Sequence, residues 1–270
     1  MEQIDQSFVD QQLKTRITSG NKYTFGNILI YAGSPGKWGA SILASLAALR
    51  AGTGLVTSLM DKSKADLFLT SCPEVMHLYE FDLPVLEKFD AIGFGSGLGK
   101  TGEVKANVYA LLQYYPKPMV LDADALNIIS ENEPLKSYLK PYHVLTPHFG
   151  EASRLFGTKV TDENAIELGL NFVKKYPCTL VLKGEHSKII SYEGQVFENT
   201  SGNDALATAG SGDVLTGIIT SFLGKGYEPT IAACLGVYVH GKLADDCIKK
   251  QSKSSLIASD LIEKLKSYEL

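Results

Sequence analysis

A carboxylate beside a glycine turn is the feature of this sequence best suited to chemistry. Asp213 directly follows Gly210, Ser211 and Gly212, and apolar residues then recur at helical spacing: Val214, Leu215, Ile218, Ile219, Phe222 and Leu223. A glycine turn that leads into a helix presents free backbone N–H groups and the positive end of the helix dipole, which together bind phosphate or a developing oxyanion. A carboxylate would repel phosphate if the site served binding alone. Asp213 is therefore predicted to remove a proton from an acceptor hydroxyl during phosphoryl transfer.

A purely structural role is the alternative for this segment. Asp213 or Ser211 could cap the helix that follows, because capping residues are common at helix starts and the loss of one costs about 1 kcal/mol. The segment alone does not separate a cap from a catalytic base, so the other motifs of the chain decide between them.

Two further glycine-rich segments follow predicted strands. Residues 33–40 (GSPGKWGA) are typical of a tight turn, and their glycines would also allow a ligand to approach the backbone. Residues 93–101 (GFGSGLGKT) fail the phosphate-loop pattern, because Phe94 stands where that motif requires glycine. They also fail the dinucleotide pattern, because Lys100 replaces its last glycine. The alternating glycines still favour a loop that faces a ligand over a simple turn.

Polar side chains follow two more predicted strands. Asp122 and Asp124 come after one strand, and His148 and Glu151 come after the next. Each carboxylate could cap a helix, or the three could surround a hydrated Mg²⁺, which prefers oxygen ligands and nucleotide phosphates. His148 has no partner with metal-ligand spacing, so a contact with substrate is the better interpretation.

Alternating strands and helices must position these residues. Apolar runs predict strands at 27–32, 55–60, 74–79, 90–94, 119–121, 143–145 and 179–182, and a hairpin at 188–198. Helical patterns cover 40–51, 103–115, 213–223, 230–249 and 259–267. The alternation predicts a mostly parallel sheet covered on both faces, with ligands at the carboxyl ends of its strands. One domain is expected over residues 1–270, with about 1–24 as a peripheral lead-in that includes a helix.

Composition excludes several classes of function. The 270 residues are 44% hydrophobic and 21% charged, as expected of a globular protein, and the net charge of −4 gives no reason to expect nucleic acid or an anionic membrane as partner. No apolar run reaches the length of about 18 residues that a membrane-spanning helix needs. The four cysteines lack disulfide or metal spacing, which favours free thiols and a cytoplasmic location.

Six motifs in order identify a family resemblance. They are Gly39-Ala40, residues 95–99 (GSGLG), 122–127 (DADALN), 146–151 (TPHFGE), 182–184 (LKG) and 210–217 (GSGDVLTG). In this order the chain resembles the ADP/ATP-dependent NAD(P)H-hydrate dehydratases, a carbohydrate-kinase-like family, over about residues 25–265. The resemblance implies the ribokinase-like fold, a three-layer α/β/α arrangement around a large, mostly parallel sheet.

The resemblance also implies an activity and a set of site residues. Members of the family are hydro-lyases that use ADP or ATP with Mg²⁺ to restore NADH or NADPH from their hydrated forms. Relatives are often tetramers, so a homo-oligomer is expected. The implied contacts to the hydrated cofactor are Ala40, Gly97, Gly99, His148 and Asp213. The implied contacts to the adenine nucleotide are Lys183, Gly184, Glu185, His186, Ser187 and Gly212, to which the glycine turn adds Gly210 and Ser211.

Two departures from the family pattern are present. Ser96 stands where proline is usual, and Ala209 stands where many members have glycine. Neither is expected to touch a proposed catalytic atom. Two rival functions stay open at this point: a kinase of the same fold acting on a vitamin precursor, and a nucleotide-binding sensor without catalysis.

Overall fold

A ten-stranded sheet forms the centre of the molecule. The computed structural model describes residues 1–270. The strands are β1 (Glu2–Ile4), β2 (Asn27–Tyr31), β3 (Leu55–Leu59), β4 (Met76–Leu78), β5 (Ala91–Phe94), β6 (Met119–Leu121), β7 (His143–Leu145), β8 (Thr179–Leu182), β9 (Lys188–Ile190) and β10 (Val196–Asn199). They lie in the order β1-β10-β9-β8-β7-β6-β5-β2-β3-β4, and only β9 runs antiparallel to its two neighbours. The predicted mostly parallel sheet is confirmed.

Helices cover both faces of this sheet. They are α1 (Gln6–Gln12), α2 (Trp38–Arg50), α3 (Ala65–Ser71), α4 (Leu83–Leu86), α5 (Gly102–Tyr114), α6 (Asp124–Glu131), α7 (Glu133–Lys136), α8 (Phe149–Phe156), α9 (Ala165–Lys175), α10 (Ser211–Gly224), α11 (Pro229–Cys247) and α12 (Ala258–Leu265). Side chains of β2 alternate between two apolar cores, because successive residues of a strand point to opposite faces. Ile28 and Ile30 pack with α1–α3 and α10–α12, whereas Leu29 and Tyr31 pack with α4–α9.

The order in which strands are added to the sheet changes direction between the parallel neighbours β2 and β5. From β2 the sheet grows through β3 to β4 on one side, and from β5 it grows through β6 and β7 to β8 on the other. Loops that leave two such strands diverge and open a crevice at their carboxyl ends, where ligands bind in open parallel sheets. The loops after β2 and β5 are the two glycine-rich segments of the sequence.

Close packing brings the start of α10 to the same edge of the sheet. A Cβ added at Gly217 would lie 2.2 Å from the Ala44 carbonyl oxygen of α2, and one added at Gly93 of β5 would lie 2.6 Å from Thr220 Oγ1. These glycines let α10 lie against both neighbours, and its residues 214–224 are all buried. The Gly-Ser-Gly-Asp segment is thereby fixed over the carboxyl ends of β5 and β6.

The sequence predicts a peripheral lead-in with a helix over about residues 1–24, but the structure also has a strand there. The helix is present as α1, but β1 also joins the sheet and pairs in parallel with β10, with Glu2 opposite Phe197. Ile4 of β1 and Phe8 of α1 are buried in the core.

No helix of the protein combines the length and apolar character needed to cross a membrane. All four cysteines are free thiols.

Candidate active site

Two glycine-rich loops meet above the crevice between β2 and β5. The Gly33 N–H donates to the Ser96 carbonyl oxygen at 2.8 Å, and the Ser34 hydroxyl donates to the Gly97 carbonyl oxygen at 2.7 Å. Gly97 faces the first turn of α2, since a Cβ added there would lie 3.2 Å from the Cβ of Ala40. The two loops therefore form one surface, and it contains two of the residues predicted to contact substrate.

Gly95 brings the second glycine-rich loop against the end of β6. Gly95 has φ of 121°, and a Cβ added there would lie 2.0 Å from the Asp122 carbonyl oxygen, so only glycine fits. The next residue, Ser96, is 1% exposed, and its hydroxyl donates to Asp122 Oδ2 at 3.2 Å. A proline at this position would supply no such donor.

Asp122 is the centre of a buried polar cluster. Its Oδ1 accepts hydrogen bonds from the Thr146 hydroxyl and from Lys183 Nζ, both at 2.8 Å, and its Oδ2 accepts from Ser96. These three donors follow β7, β8 and β5 in turn, so neighbouring strand ends converge on a single carboxylate. A carboxylate that is 3% exposed is stable here because each oxygen has a donor.

Lys183 supplies a fixed positive charge to the cluster. Its Nζ lies 2.8 Å from Asp122 Oδ1 and 3.9 Å from Glu151 Oε2. Burial alone would lower the pKa of Lys183, but the negative charges of Asp122 and Glu151 outweigh it, with a smaller contribution from Asp213, and the pKa is raised. The ammonium group is therefore charged at neutral pH and is suited to a phosphate oxygen.

Asp213 lies beside this cluster at the start of α10. Burial and the negative charge of Asp122 raise the pKa of Asp213 to about 6, whereas the Ser96 hydroxyl and the charge of Lys183 oppose the rise. Ser96 donates its hydrogen to Asp122, so it belongs to the polar surroundings of Asp213. A carboxyl with a pKa near neutrality is suited to general base catalysis.

No side chain caps the N-terminus of α10. The N-cap is Gly210, with φ of 86°, so neither Ser211 nor Asp213 has the structural role that was the alternative. The backbone N–H groups of Gly212 and Asp213 have no acceptor in the protein. A Cβ added at Gly212 would lie 3.8 Å from Lys183 Nζ. Free donors and a cation thus face the same space, as binding of an anion requires.

The turn between β8 and β9 carries the other residues expected to bind nucleotide. Gly184, Glu185 and His186 are exposed, and the Ser187 hydroxyl donates to the Gly184 carbonyl oxygen at 3.4 Å. Lys183, by contrast, points into the polar cluster. The turn lies next to the loop after β7, since Lys183 and His148 form an isolated parallel bridge.

His148 and Glu151 form a reciprocal cap at the start of α8. His148 Nδ1 accepts from the N–H groups of Gly150 at 3.0 Å and Glu151 at 3.3 Å, and Glu151 Oε2 accepts from the His148 N–H at 2.9 Å. The His148 side chain is 55% exposed, so its ring also borders open space at the carboxyl edge of the sheet.

Asp124 does not join the other two carboxylates predicted to surround a metal. Its Oδ2 accepts from the Gly99 N–H at 2.8 Å, which fixes the end of the second glycine loop. The structure gathers no three metal-ligating side chains into one group. Asp122 and Glu151 lie together at Lys183, so the expected set of three carboxylates is not assembled.

Sequence reasoning missed the contacts of three polar side chains. Ser96 and Thr146 lie within the motifs at 95–99 and 146–151, but neither motif indicates a hydrogen bond to Asp122. His240 lies on α11, outside any motif, and contacts Ser211. These contacts join distant parts of the chain, so only the folded structure reveals them.

Comparisons with known proteins show the family and the fold of this chain. The family model for NAD(P)H-hydrate dehydratase matches residues 28–267. The chain belongs to the NAD(P)H-hydrate dehydratase family. It is 38% identical over 241 residues to the ADP-dependent (S)-NAD(P)H-hydrate dehydratase of Neisseria meningitidis, which covers 86% of this chain and 80% of that protein. It is 36% identical over 268 residues to the bifunctional NAD(P)H-hydrate repair enzyme of Moorella thermoacetica.

The length of the family members differs. The match to the Moorella enzyme covers 93% of this chain but 51% of that enzyme, so the chain spans about half the length of the bifunctional relatives it matches. The Neisseria dehydratase is a relative of similar extent.

Solved structures of the family confirm the fold. The ADP/ATP-dependent NAD(P)H-hydrate dehydratase from Bacillus subtilis, co-crystallised with ATP/Mg²⁺, superposes with a TM-score of 0.86 at 29% identity, covering 98% of this chain and 96% of that chain. A ribokinase-like superfamily protein from Enterococcus faecalis superposes with a TM-score of 0.89 at 26% identity, covering 99% and 94%. The predicted ribokinase-like fold is therefore confirmed.

Proposed function

We propose that this protein is a hydro-lyase that uses ADP or ATP to convert hydrated NADH or NADPH back to NADH or NADPH. The observation that carries the proposal is Asp213, a carboxyl with a raised pKa, next to the free N–H groups of Gly212 and Asp213 at the start of α10. Membership of the NAD(P)H-hydrate dehydratase family and the names of its relatives support the same reaction.

The first chemical step is a phosphoryl transfer. Asp213 accepts the proton of the C6 hydroxyl while that oxygen attacks the terminal phosphorus of the nucleotide. A bond forms between the C6 oxygen and phosphorus, and the bond from phosphorus to the bridging oxygen breaks, which releases AMP from ADP or ADP from ATP. The backbone N–H groups at the start of α10 and the Lys183 ammonium group stabilise the charge on the transferring group.

The second step is an elimination. Phosphate is a much better leaving group than hydroxide, so the C6–O bond breaks and phosphate departs with its electron pair. The lone pair of the ring nitrogen replaces those electrons at C6, and loss of a proton from C5 restores the double bond of the dihydronicotinamide. The net reaction consumes one phosphoanhydride bond and removes one molecule of water.

The donor groups of the site fit an adenine nucleotide with Mg²⁺. Mg²⁺ commonly binds one or two protein carboxylates together with substrate phosphates and water, and Asp122 and Glu151 are the two carboxylates placed for this. When bound, the cation would neutralise charge on the phosphates. Lys183 to Ser187 and Gly210 to Gly212 would hold the nucleotide, as the family resemblance implies.

The hydrated cofactor is proposed to lie over the joined glycine loops. Ala40 and Gly97 lie on that surface, Gly99 ends it, and His148 borders it from the loop after β7. The surface is continuous with the cluster around Asp122, which supports a position of the reactive ring between the loops and the start of α10.

The location and assembly of the protein belong to the same proposal. Free cysteines support a cytoplasmic location. A homo-oligomer, with the four copies that the family resemblance implies, is supported by exposed apolar side chains near the edge strand β4, among them Leu67, Leu69 and Met76. Light scattering coupled to gel filtration measures the number of copies.

One assay separates this function from its rivals. The purified protein is incubated with hydrated NADH and with either ADP or ATP, and the near-ultraviolet absorbance of NADH is followed. Recovery of that absorbance with release of phosphate supports the dehydratase. A kinase would release a phosphorylated product without forming NADH, and a sensor would bind nucleotide without turnover, so either result would contradict the proposal.

Asp213→Asn tests the proposed base. Asparagine keeps the shape of the side chain but does not accept the proton, so kcat is expected to fall by about 10²–10⁴-fold while ADP binding is retained. Asp10→Asn is a matched control on the exposed surface of α1, and it should leave turnover unchanged. Full turnover by a folded Asp213→Asn protein would eliminate Asp213 as the base.

A further inference from the structure

We propose that His240 is a positioning residue, which holds Ser211 so that its hydroxyl donates to a phosphate oxygen of the nucleotide. The inference rests on the proposed function and names a residue of α11 that no sequence motif singled out. The evidence is the position of His240 Nε2 relative to the carbonyl and hydroxyl oxygens of Ser211, at the start of α10.

The protonation of the His240 ring follows from its partners. His240 Nε2 lies 3.0 Å from the Ser211 carbonyl oxygen and 3.0 Å from the Ser211 hydroxyl oxygen. A carbonyl oxygen only accepts hydrogen bonds, so Nε2 carries the hydrogen and donates. Burial lowers the pKa of His240 to about 4, which keeps the ring neutral at physiological pH. The ring is therefore the neutral tautomer with its hydrogen on Nε2.

The Ser211 hydroxyl hydrogen is consequently left without an acceptor. Because Nε2 donates, the Ser211 oxygen accepts at that contact, and the hydroxyl makes no other hydrogen bond in the protein. Ser211 is 4% exposed, and a buried hydroxyl normally donates its hydrogen to an acceptor. It lies next to Gly212, whose N–H group also has no acceptor. The Ser211 hydroxyl and the Gly212 N–H group are therefore adjacent donors without acceptors at a helix start. Together they can bind one phosphate group.

Other residues of α11 hold the segment that leads to Ser211. A Cβ added at Gly241 would lie 2.3 Å from Ser201 Oγ, so the helix backbone touches that segment directly. Asp245 accepts from the Gly202 N–H at 2.9 Å and from Asn203 Nδ2 at 2.8 Å. His240 is thus one of several contacts by which α11 fixes the position of residues 201–211.

Calorimetric titration with ADP tests the coupling between the two residues. Ser211→Ala and His240→Leu are each expected to weaken ADP binding by about tenfold to a hundredfold, the range for a hydrogen bond to a charged group. The double variant should lose no more than either single variant, because His240 acts through Ser211. His240→Gln restores an N–H donor near the position of Nε2 and should recover much of the affinity lost in His240→Leu.

A matched control distinguishes a positioning role of His240 from a general effect of losing a buried histidine on stability. His143 is another fully buried histidine, at the start of β7, and it has no contact with Ser211. His143→Leu should lower the melting temperature but leave ADP affinity unchanged. If His240→Leu does not fold, the comparison of His240→Gln with Ser211→Ala and the wild-type protein serves the same purpose.

Three results would overturn the inference independently of the dehydratase reaction. Nitrogen-15 NMR of the wild-type ring must show the hydrogen on Nε2, and a hydrogen on Nδ1 contradicts the proposal. Additive losses in the double variant, or wild-type ADP affinity in His240→Leu, would contradict it as well. A wild-type protein that shows the predicted coupling but dehydrates no hydrated NADH would remove the proposed function and leave this inference standing.

Discussion

Opposing influences act on the carboxyl of Asp213. Burial and the charge of Asp122 raise its pKa, and the Ser96 hydroxyl and the Lys183 ammonium group limit the rise, with a result of about 6. A lower value would make a weaker base, and a much higher one would leave the carboxyl protonated in the cell. The residues around Asp213 thus set the range of pH in which the proposed chemistry proceeds.

Replacement of Ser96 should shift the pH dependence of the reaction. Because the base must be ionised, kcat/KM for the hydrated cofactor is expected to rise with pH through about 6 in the wild-type protein. The Ser96 hydroxyl acts to lower the pKa of Asp213, so the rise should occur at higher pH in Ser96→Ala. Ser130→Ala is a matched control, since the Ser130 hydroxyl bonds only to the Asn127 carbonyl oxygen. Identical pH profiles for wild type and Ser96→Ala would contradict the assignment.

Asp213 should also reduce stability at neutral pH. Its pKa of about 6 in the folded protein lies above the ordinary value of 3.8, so the folded state binds more protons between these values. The free energy of unfolding attributable to this group therefore falls as pH rises from about 4 to above 6. Urea titrations of wild type and Asp213→Asn across this range should show a difference that grows in favour of the variant. A constant difference would show that the carboxyl is not perturbed.

At the scale of elements, α10 depends on its contact with α2. Gly217→Ala would place a Cβ within 2.2 Å of the Ala44 carbonyl oxygen, and a backbone atom cannot move aside cheaply. We expect a loss of several kcal/mol of stability, about 3 or more, in line with overpacked cores. Nucleotide binding should weaken too, since the start of α10 would shift. Thermal denaturation and ADP titration measure the two effects.

Gly102→Ala is the control for that experiment. Gly102 is the first residue of α5, and nothing lies within 4 Å of a Cβ added there. Alanine is the better helix former, so stability should stay the same or rise slightly. Equal effects of the two substitutions would mean that helix propensity, rather than the contact with α2, decides the outcome at Gly217.

The periodicity of the sequence predicts most elements but not their neighbours in space. Strands β6, β7 and β8 match the predicted residues 119–121, 143–145 and 179–182, because each is a short apolar run between turn residues. β1 was missed because three residues, Glu-Gln-Ile, show no alternation, and its pairing depends on β10 almost two hundred residues later. The position of Asp213 in the first turn of a helix was predictable from its local sequence. The role of Asp124 was not, since its partner at Gly99 lies on another loop.

At the scale of the whole molecule, the N-terminal residues belong to the main core. Ile4 is fully buried and packs in the same core as α10, α11 and α12. Ile4→Ala is expected to lower the free energy of unfolding by about 2–5 kcal/mol. Gln3→Ala, at an exposed position of the same strand, should have little effect. Urea denaturation gives both values, and a negligible loss in Ile4→Ala would show that β1 frays independently of the core.

The parallel pairing of β1 with β10 has a consequence for synthesis. Gln3 leaves the ribosome 195 residues before its partner Glu198. At a translation rate of about 5–20 residues per second, the first strand waits about ten to forty seconds for its place at the edge of the sheet. Throughout that interval its isoleucine and the phenylalanine of the adjoining helix are exposed to solvent, so a nascent-chain chaperone has time to bind them.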